Sequence, residues 1–159
     1  MDFDAAFTAL IGNEGRYSND PIDPGGETMW GVTARVARRW GYTRAMKDLP
    51  LNIAKDIAKF EYWNQAHCDE VPAELRFDLL DTAYNSGVHE AIVLLQRALG
   101  GEADGYFGPM TAGALAAADP RVLRRYFNAE RLDFMTGLKN WPEESKGWAR
   151  RVAANLRRP

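Results

Sequence analysis

Between Glu14 and Thr33 the chain reads E-G-R-Y-S-N-D-P-I-D-P-G-G-E-T-M-W-G-V-T, and these twenty residues hold four glycines, two prolines and four carboxylates. Such a stretch cannot continue a helix. Glycine loosens the backbone, and proline removes a hydrogen-bond donor and clashes with the preceding turn. Pro24-Gly25-Gly26 is the strongest turn signal within it. The expected form is a run of turns with at most a small β-hairpin over residues 15–31.

The rest of the chain is helical in pattern. Phe3, Phe7, Leu10 and Ile11 recur at helical spacing, which predicts a helix over 2–13. Thr33 can cap a helix over 34–40. Ile53, Ile57, Phe60 and Trp63 predict one over 51–66. Pro72 opens another through Leu75, Leu79, Leu80 and Ala83, and Ala91–Leu99 is a short apolar one ending at Gly100-Gly101. Pro109 suits the first turn of a helix to about 118. Asp119-Pro120 has the form of a capped start for a helix over 120–136. Glu143–Arg157 is the last, with Trp148, Val152 and Leu156 on one face and arginines around it. Seven to eight helices predict an all-α or α-dominated fold.

At 159 residues the chain can bury one well-packed core, or two small lobes sharing one. It has one cysteine, Cys68, which excludes an internal disulfide and fits a reducing compartment. No leader segment and no apolar run of membrane-spanning length is visible. The expectation is synthesis in the cytoplasm without a signal peptide and action elsewhere after release by another protein. Net charge is −2, but residues 119–159 carry 10 bases against 5 acids. That basic end can favour an anionic polymer or surface, or simply form a solvated helix face. An arginine-rich last helix could also act on a membrane; packing through Trp148 and Val152 is the favoured alternative.

Carboxylates on a turn-rich segment mounted on a rigid helix suit glycoside cleavage. One carboxylic acid protonates the leaving oxygen, and a second carboxylate activates water or attacks the sugar. Glu14 sits where the first helix ends, a place where partial desolvation can keep it protonated. Asp23 lies nine residues on, with Asp20 and Glu27 as rival second carboxylates. Asp20 precedes Pro21 and suits turn capping. Thr28 offers a hydroxyl to hold a water. Tyr17 and Trp30 offer aromatic faces for sugars, or packing between lobes.

The run E-G-x-Y-S-N-D-P-x-D-P-G-G-x-T-x-x-G-V-T resembles the signature of the glycoside hydrolase family 108 N-acetylmuramidases, which include phage-type endolysins and secretion-associated muramidases. Phe60-Glu-Tyr-Trp63, Phe77-Asp-Leu-Leu-Asp-Thr-Ala-Tyr-Asn-Ser-Gly87, Leu95-Gln-Arg-Ala-Leu-Gly100, Asp104-Gly-Tyr-Phe-Gly-Pro-Met-Thr111 and Gly147-Trp-Ala-Arg-Arg-Val152 continue the resemblance in order. Arg16 departs from it, standing where the family commonly has glycine. Phage-type lysozymes show a similar order of Glu, Asp nine residues later, and Thr.

The resemblance implies a lysozyme-like fold, with a catalytic lobe over 1–88 and a peptidoglycan-binding helical lobe over 89–159. It implies hydrolysis of the β-1,4 bond between N-acetylmuramic acid and N-acetylglucosamine. Glu14 would be the general acid, and Asp23 and Thr28 would position or activate water. Tyr17, Trp30, Tyr84 and Asn85 would bind substrate. The expected partner is peptidoglycan, with a holin-type or secretion partner for export and a monomeric enzyme. Lytic transglycosylase and non-catalytic wall-binding readings stand as alternatives.

No cofactor and no metal is expected. His67, Cys68 and Asp69 are consecutive, and consecutive helical positions point apart. Asp104-Gly105 lacks the alternating acids of a calcium loop. Neither histidine sits in a nucleophile context, and no nucleic-acid-binding module is present.

Overall fold

The structure is a computed structural model, and it describes residues 1–12, 17–19 and 26–158. Glu14, Arg16, Asp20 and Asp23 lie outside the described residues. Eight α-helices and one small sheet are described.

Helix α1 (Phe3–Ile11) starts at Asp2, whose carboxylate accepts from the Ala5 amide at 2.9 Å. Its stripe of Phe3, Ala6 and Phe7 is buried, and Phe3 meets the fully buried Trp63 edge-on at 5.4 Å. The sheet follows, with strands β1 (Tyr17–Ser18), β2 (Thr28–Met29) and β3 (Val32–Thr33) in that order and both pairings antiparallel. The third strand extends the sheet beyond the expected hairpin. Thr33 ends β3 and caps α2 (Ala34–Arg39), as its side chain predicted.

Helix α3 (Leu51–Ala58) runs into a π-helical turn over Lys59–Trp63, so the expected helix over 51–66 changes hand-hold midway. The wider turn is held by Asn64 N–H to the Lys59 carbonyl at 2.9 Å. The Trp63 indole N–H donates to Asp69 at 2.9 Å. That bond satisfies the one polar atom of a ring otherwise sunk in apolar surroundings. Cys68 is buried there as a small apolar residue, and burial pushes its thiol pKa up.

Helix α4 (Arg76–Ser86) starts four residues later than Pro72 suggested, because Pro72–Leu75 forms a separate turn closed by Leu75 N–H to the Pro72 carbonyl. It ends at Gly87, whose φ of 91° a side chain would strain. Helix α5 (Val88–Ala98) then folds back against it, starting three residues before the expected Ala91. Helices α6 (Pro109–Ala117) and α7 (Pro120–Thr136) start with proline in the first turn as expected. Asp119 caps α7 by accepting from the amides of Arg121 and Val122, both at 2.9 Å.

The last helix, α8 (Trp141–Leu156), packs along α7. Val152 and Asn155 are buried in that contact and Trp148 is half-buried, which supports the packing reading of this arginine-rich helix. No helix among the described residues is long and apolar enough to cross a membrane.

The core sits around α4. Phe77, Leu79, Leu80 and Ala83 are buried on its apolar sides, and so are Asp78, Asp81 and Thr82. Each buried large apolar side chain contributes about 1.5–3 kcal/mol. Two carboxylates inside such a helix need partners, and those partners come from the far end of the chain.

Candidate active site

The sheet sorts the residues of the opening segment by face. Tyr17 pairs with Met29, and Met29 with Val32; Ser18 pairs with Thr28, and Thr28 with Thr33. Side chains alternate along a strand, and directly paired residues share a face. Met29 and Val32 enter the core, so the half-buried Thr28 lies in a row of hydroxyls with Ser18 and Thr33 on the other face. Tyr17 is not on the Thr28 face. Its hydroxyl donates to Glu27 Oε1 at 2.9 Å, and that contact raises the phenol pKa. Glu27, one residue before Thr28, is thereby committed to Tyr17. Of the rival second carboxylates it is the one whose position is described.

Trp30 and Gly31 form the two-residue turn between β2 and β3, with φ of 56° and 78°. Positive φ at both centres is the type I′ hairpin geometry, usual for Asn-Gly and strained for tryptophan. Two bonds hold it. The Trp30 indole N–H donates to the Leu49 carbonyl at 2.9 Å, and the Tyr84 hydroxyl donates to the Trp30 carbonyl at 2.9 Å. A Cβ on Gly31 would stand 2.5 Å from Tyr84 Cε1, so glycine is required for the close approach as well as for φ. Tyr84 also packs on Tyr62 with ring centroids 4.7 Å apart, and burial raises both phenol pKa values. The structure therefore brings Tyr84 and Trp30 together, and it spends the Tyr84 hydroxyl on the turn.

Asn85 is exposed at the C-terminal end of α4. Its amide donates to the Asp81 carbonyl at 2.7 Å and to Asp81 Oδ1 at 3.2 Å. Beneath it lies a buried polar network absent from the sequence-based candidates. Arg131 Nη1 and Asn155 Nδ2 both donate to Asp81 Oδ2, at 2.7 and 2.9 Å, and Arg151 Nη1 stands 3.7 Å from Asp81 Oδ1. One turn earlier, Asp78 Oδ2 accepts from Arg124 Nε at 2.8 Å and Asn128 Nδ2 at 3.0 Å. The available signal was F-D-L-L-D itself: two carboxylates one turn apart inside an apolar run have to be paired.

Asp78 Oδ1 has no hydrogen-bond partner among the described residues. Burial accordingly raises the Asp78 pKa despite the opposing pull of Arg124 and Asn128. A carboxyl raised in the folded state favours folding most below its unfolded pKa of about 3.9, and that contribution is lost as pH rises through the folded value. Asp78→Asn is thus expected to gain stability relative to the parent between about pH 3 and about pH 7. Urea unfolding at both pH values measures it; a pH-independent difference would contradict it.

A second polar device shapes the 104–111 loop. Gln96, 4% exposed, donates to Asp104 Oδ1, the Tyr106 carbonyl and Thr111 Oγ1 at 2.8, 3.0 and 3.1 Å, and its Oε1 accepts from the Gly105 amide at 2.8 Å. Asp104 also accepts from the Tyr106 amide, which with Gln96 lowers its pKa. This is turn chemistry, and it presents Tyr106 and Met110 at 73% and 88% exposure. His67 pairs with Glu70 at 2.7 Å and Asp69 with Trp63, so these two residues of the consecutive trio have other partners.

Residues 7–87 match the family model described as Glycosyl hydrolase 108. The chain belongs to glycosyl hydrolase family 108. Residues 90–153 match the model described as Predicted Peptidoglycan domain. The solved structure of Brucella abortus SagA is similar to the family 108 chain described here, with a TM-score of 0.90 and 30% sequence identity over 97% of this chain and 91% of that one. No curated protein matches. This family 108 member is a glycoside hydrolase of the N-acetylmuramidase type, and its substrate is peptidoglycan.

Proposed function

We propose that Glu14 is the general acid of this muramidase and that Asp23 and Thr28 hold the attacking water. Glu14 would donate its proton to the glycosidic oxygen as the C–O bond breaks. Water would add to the anomeric carbon of N-acetylmuramic acid and lose its proton to Asp23. The observation that carries this reading is the family match over 7–87, which contains all three residues in the spacing of the signature. The engagement of Glu27 by the Tyr17 hydroxyl supports Asp23 over Glu27 as the partner of Thr28.

The same reading divides the labour at residue 88. Residues 1–88 would cleave and 89–159 would hold the wall, supported by family matches that stop at 87 and resume at 90. Trp30, Tyr84 and Asn85 would line the substrate cleft, with Tyr84 acting through the turn it braces, and Tyr17 would contribute from the sheet edge. Wall access would depend on a separate holin-type or secretion partner, in phage lysis or in secretion, and the enzyme would act as a monomer.

Digestion of purified peptidoglycan followed by mass spectrometry tests the chemistry. Hydrolysis gives reducing N-acetylmuramic acid ends. Predominant 1,6-anhydro ends would overturn water attack in favour of transglycosylation, and wall binding without sugar release would overturn catalysis.

A further inference from the structure

We infer that the C-terminal lobe holds the uncharged glycan strand of the wall, rather than its charged stem peptides, along helix α6 from Tyr106 to a hollow at Tyr126. The inference rests on the reading that residues 89–159 hold the wall.

Helix α6 is an unusual surface helix. The chain carries no charged residue between Asp104 and Asp119. Yet among the residues of α6 only Thr111 and Leu115 are buried. A surface helix ordinarily turns charged and polar side chains to water. This one presents Met110, and Ala114 and Ala117 continue the row one and two turns on. Beside the far end of that row lies an open hollow of about 390 Å³, lined by Ala114, Ala117, Asp119, Val122 and Tyr126 among others. Tyr126 is 59% exposed there, and Tyr106 stands exposed before the other end of the helix.

Tyr106 is not exposed through looseness. Its carbonyl accepts from Gln96 and its amide donates to Asp104. Gly105 before it has φ 77°, and a Cβ there would run into the His89 ring. Phe107 after it stacks on His67 with ring centroids 4.3 Å apart. A group whose backbone is already fixed loses less freedom on binding.

Neutrality selects the occupant. Stem peptides carry free carboxylates and an amino group. The lactyl carboxyl of N-acetylmuramic acid is spent on the amide bond to its peptide, so the glycan strand is uncharged. A charge laid on an apolar surface loses hydration and gains no partner. Arg121 and Arg125, which could serve a carboxylate, do not line the hollow. A sugar ring offers C–H groups to an aromatic face and hydroxyl and acetamido groups at its rim. Asp119 supplies an acceptor for that rim. The Arg121 and Val122 amides both go to its Oδ1, which leaves Oδ2 for a sugar hydroxyl or acetamido N–H.

Sedimentation with purified walls on ice reads the affinity, with melting temperature measured for every variant. Tyr106→Ser and Tyr126→Ser are each expected to bind about tenfold more weakly at the parent melting temperature, the order set by covering part of an aromatic side chain. Phe60→Ser, at an exposed aromatic outside this lobe, is expected to bind like the parent. Parent-level binding by either tyrosine variant, or an equal loss in Phe60→Ser, would overturn the inference. Amide chemical shifts identify the occupant. A neutral tetramer of β-1,4-linked N-acetylglucosamine is expected to move the amides of residues 105–118, and free stem peptide to leave them in place. Movement with the peptide alone, or with neither probe, would overturn the glycan assignment. A parent that releases reducing ends but does not sediment with walls would instead remove the wall-holding reading on which the inference stands.

Discussion

Glu14→Gln is expected to lower the rate of wall hydrolysis by about 10²- to 10⁴-fold, the usual worth of a general acid, while the melting temperature stays at the parent value. Glutamine preserves shape and hydrogen-bonding capacity but has no acidic proton to give the leaving oxygen. Turbidity loss of purified walls and release of reducing ends both read the effect. Parent-like hydrolysis would remove Glu14 from the mechanism. Glu27→Gln serves as the internal comparison, because Glu27 is engaged by Tyr17. Its rate should stay near that of the parent, and a collapse equal to that of Glu14→Gln would reassign the second carboxylate.

The largest stability effect is expected at Arg131. This side chain is 2% exposed and donates to a carboxylate that is 4% exposed. Arg131→Met leaves Asp81 charged and buried with amide donors and a more distant Arg151 for company. Removing one partner of such a pair costs about 3–5 kcal/mol. At about 2–4 °C per kcal/mol for a chain of this size, the melting temperature should fall by roughly 10 °C. Adding Asp81→Leu should restore much of the loss, since two well-packed apolar side chains often replace a buried pair at little cost. Calorimetry of the parent, the single and the double variant checks it. A single variant within about 1 kcal/mol of the parent would refute Arg131 as the partner on which the buried Asp81 depends.

What the sequence could reveal depended on how local the determining physics was. The caps at Thr33 and Asp119 and the prolines at 109 and 120 act within one helical turn, and the helices they start stand where they were expected. The start of α4 differs from the expected Pro72 because a proline that opens a turn looks the same in sequence as one that opens a helix; the closure of 72–75 on itself decides between them. The third strand is two residues long and has no period to detect. Trp30 concealed a hairpin turn, since its positive φ is enforced by Leu49 and Tyr84 from elsewhere in the chain. Thr28 stands out by residue type and spacing, and Asn85 by its place in the F-D-L-L-D-T-A-Y-N-S-G run. The partners of the buried Asp81 were not legible, because Arg131 and Asn155 are 50 and 74 positions away.

The single residue Gly87 between α4 and α5 has a consequence for engineering. A binding module on a long linker can be exchanged without disturbing its neighbour, because few contacts cross the boundary. Here the carboxylates of Asp78 and Asp81 lie on one side of Gly87, and their guanidinium partners Arg124 and Arg131 on the other. A chimera spliced at this glycine would inherit acids without their bases, or bases without their acids, inside its own interior. New wall specificities are better grafted onto the 104–111 loop, whose Gln96 clamp lies wholly on one side of the joint.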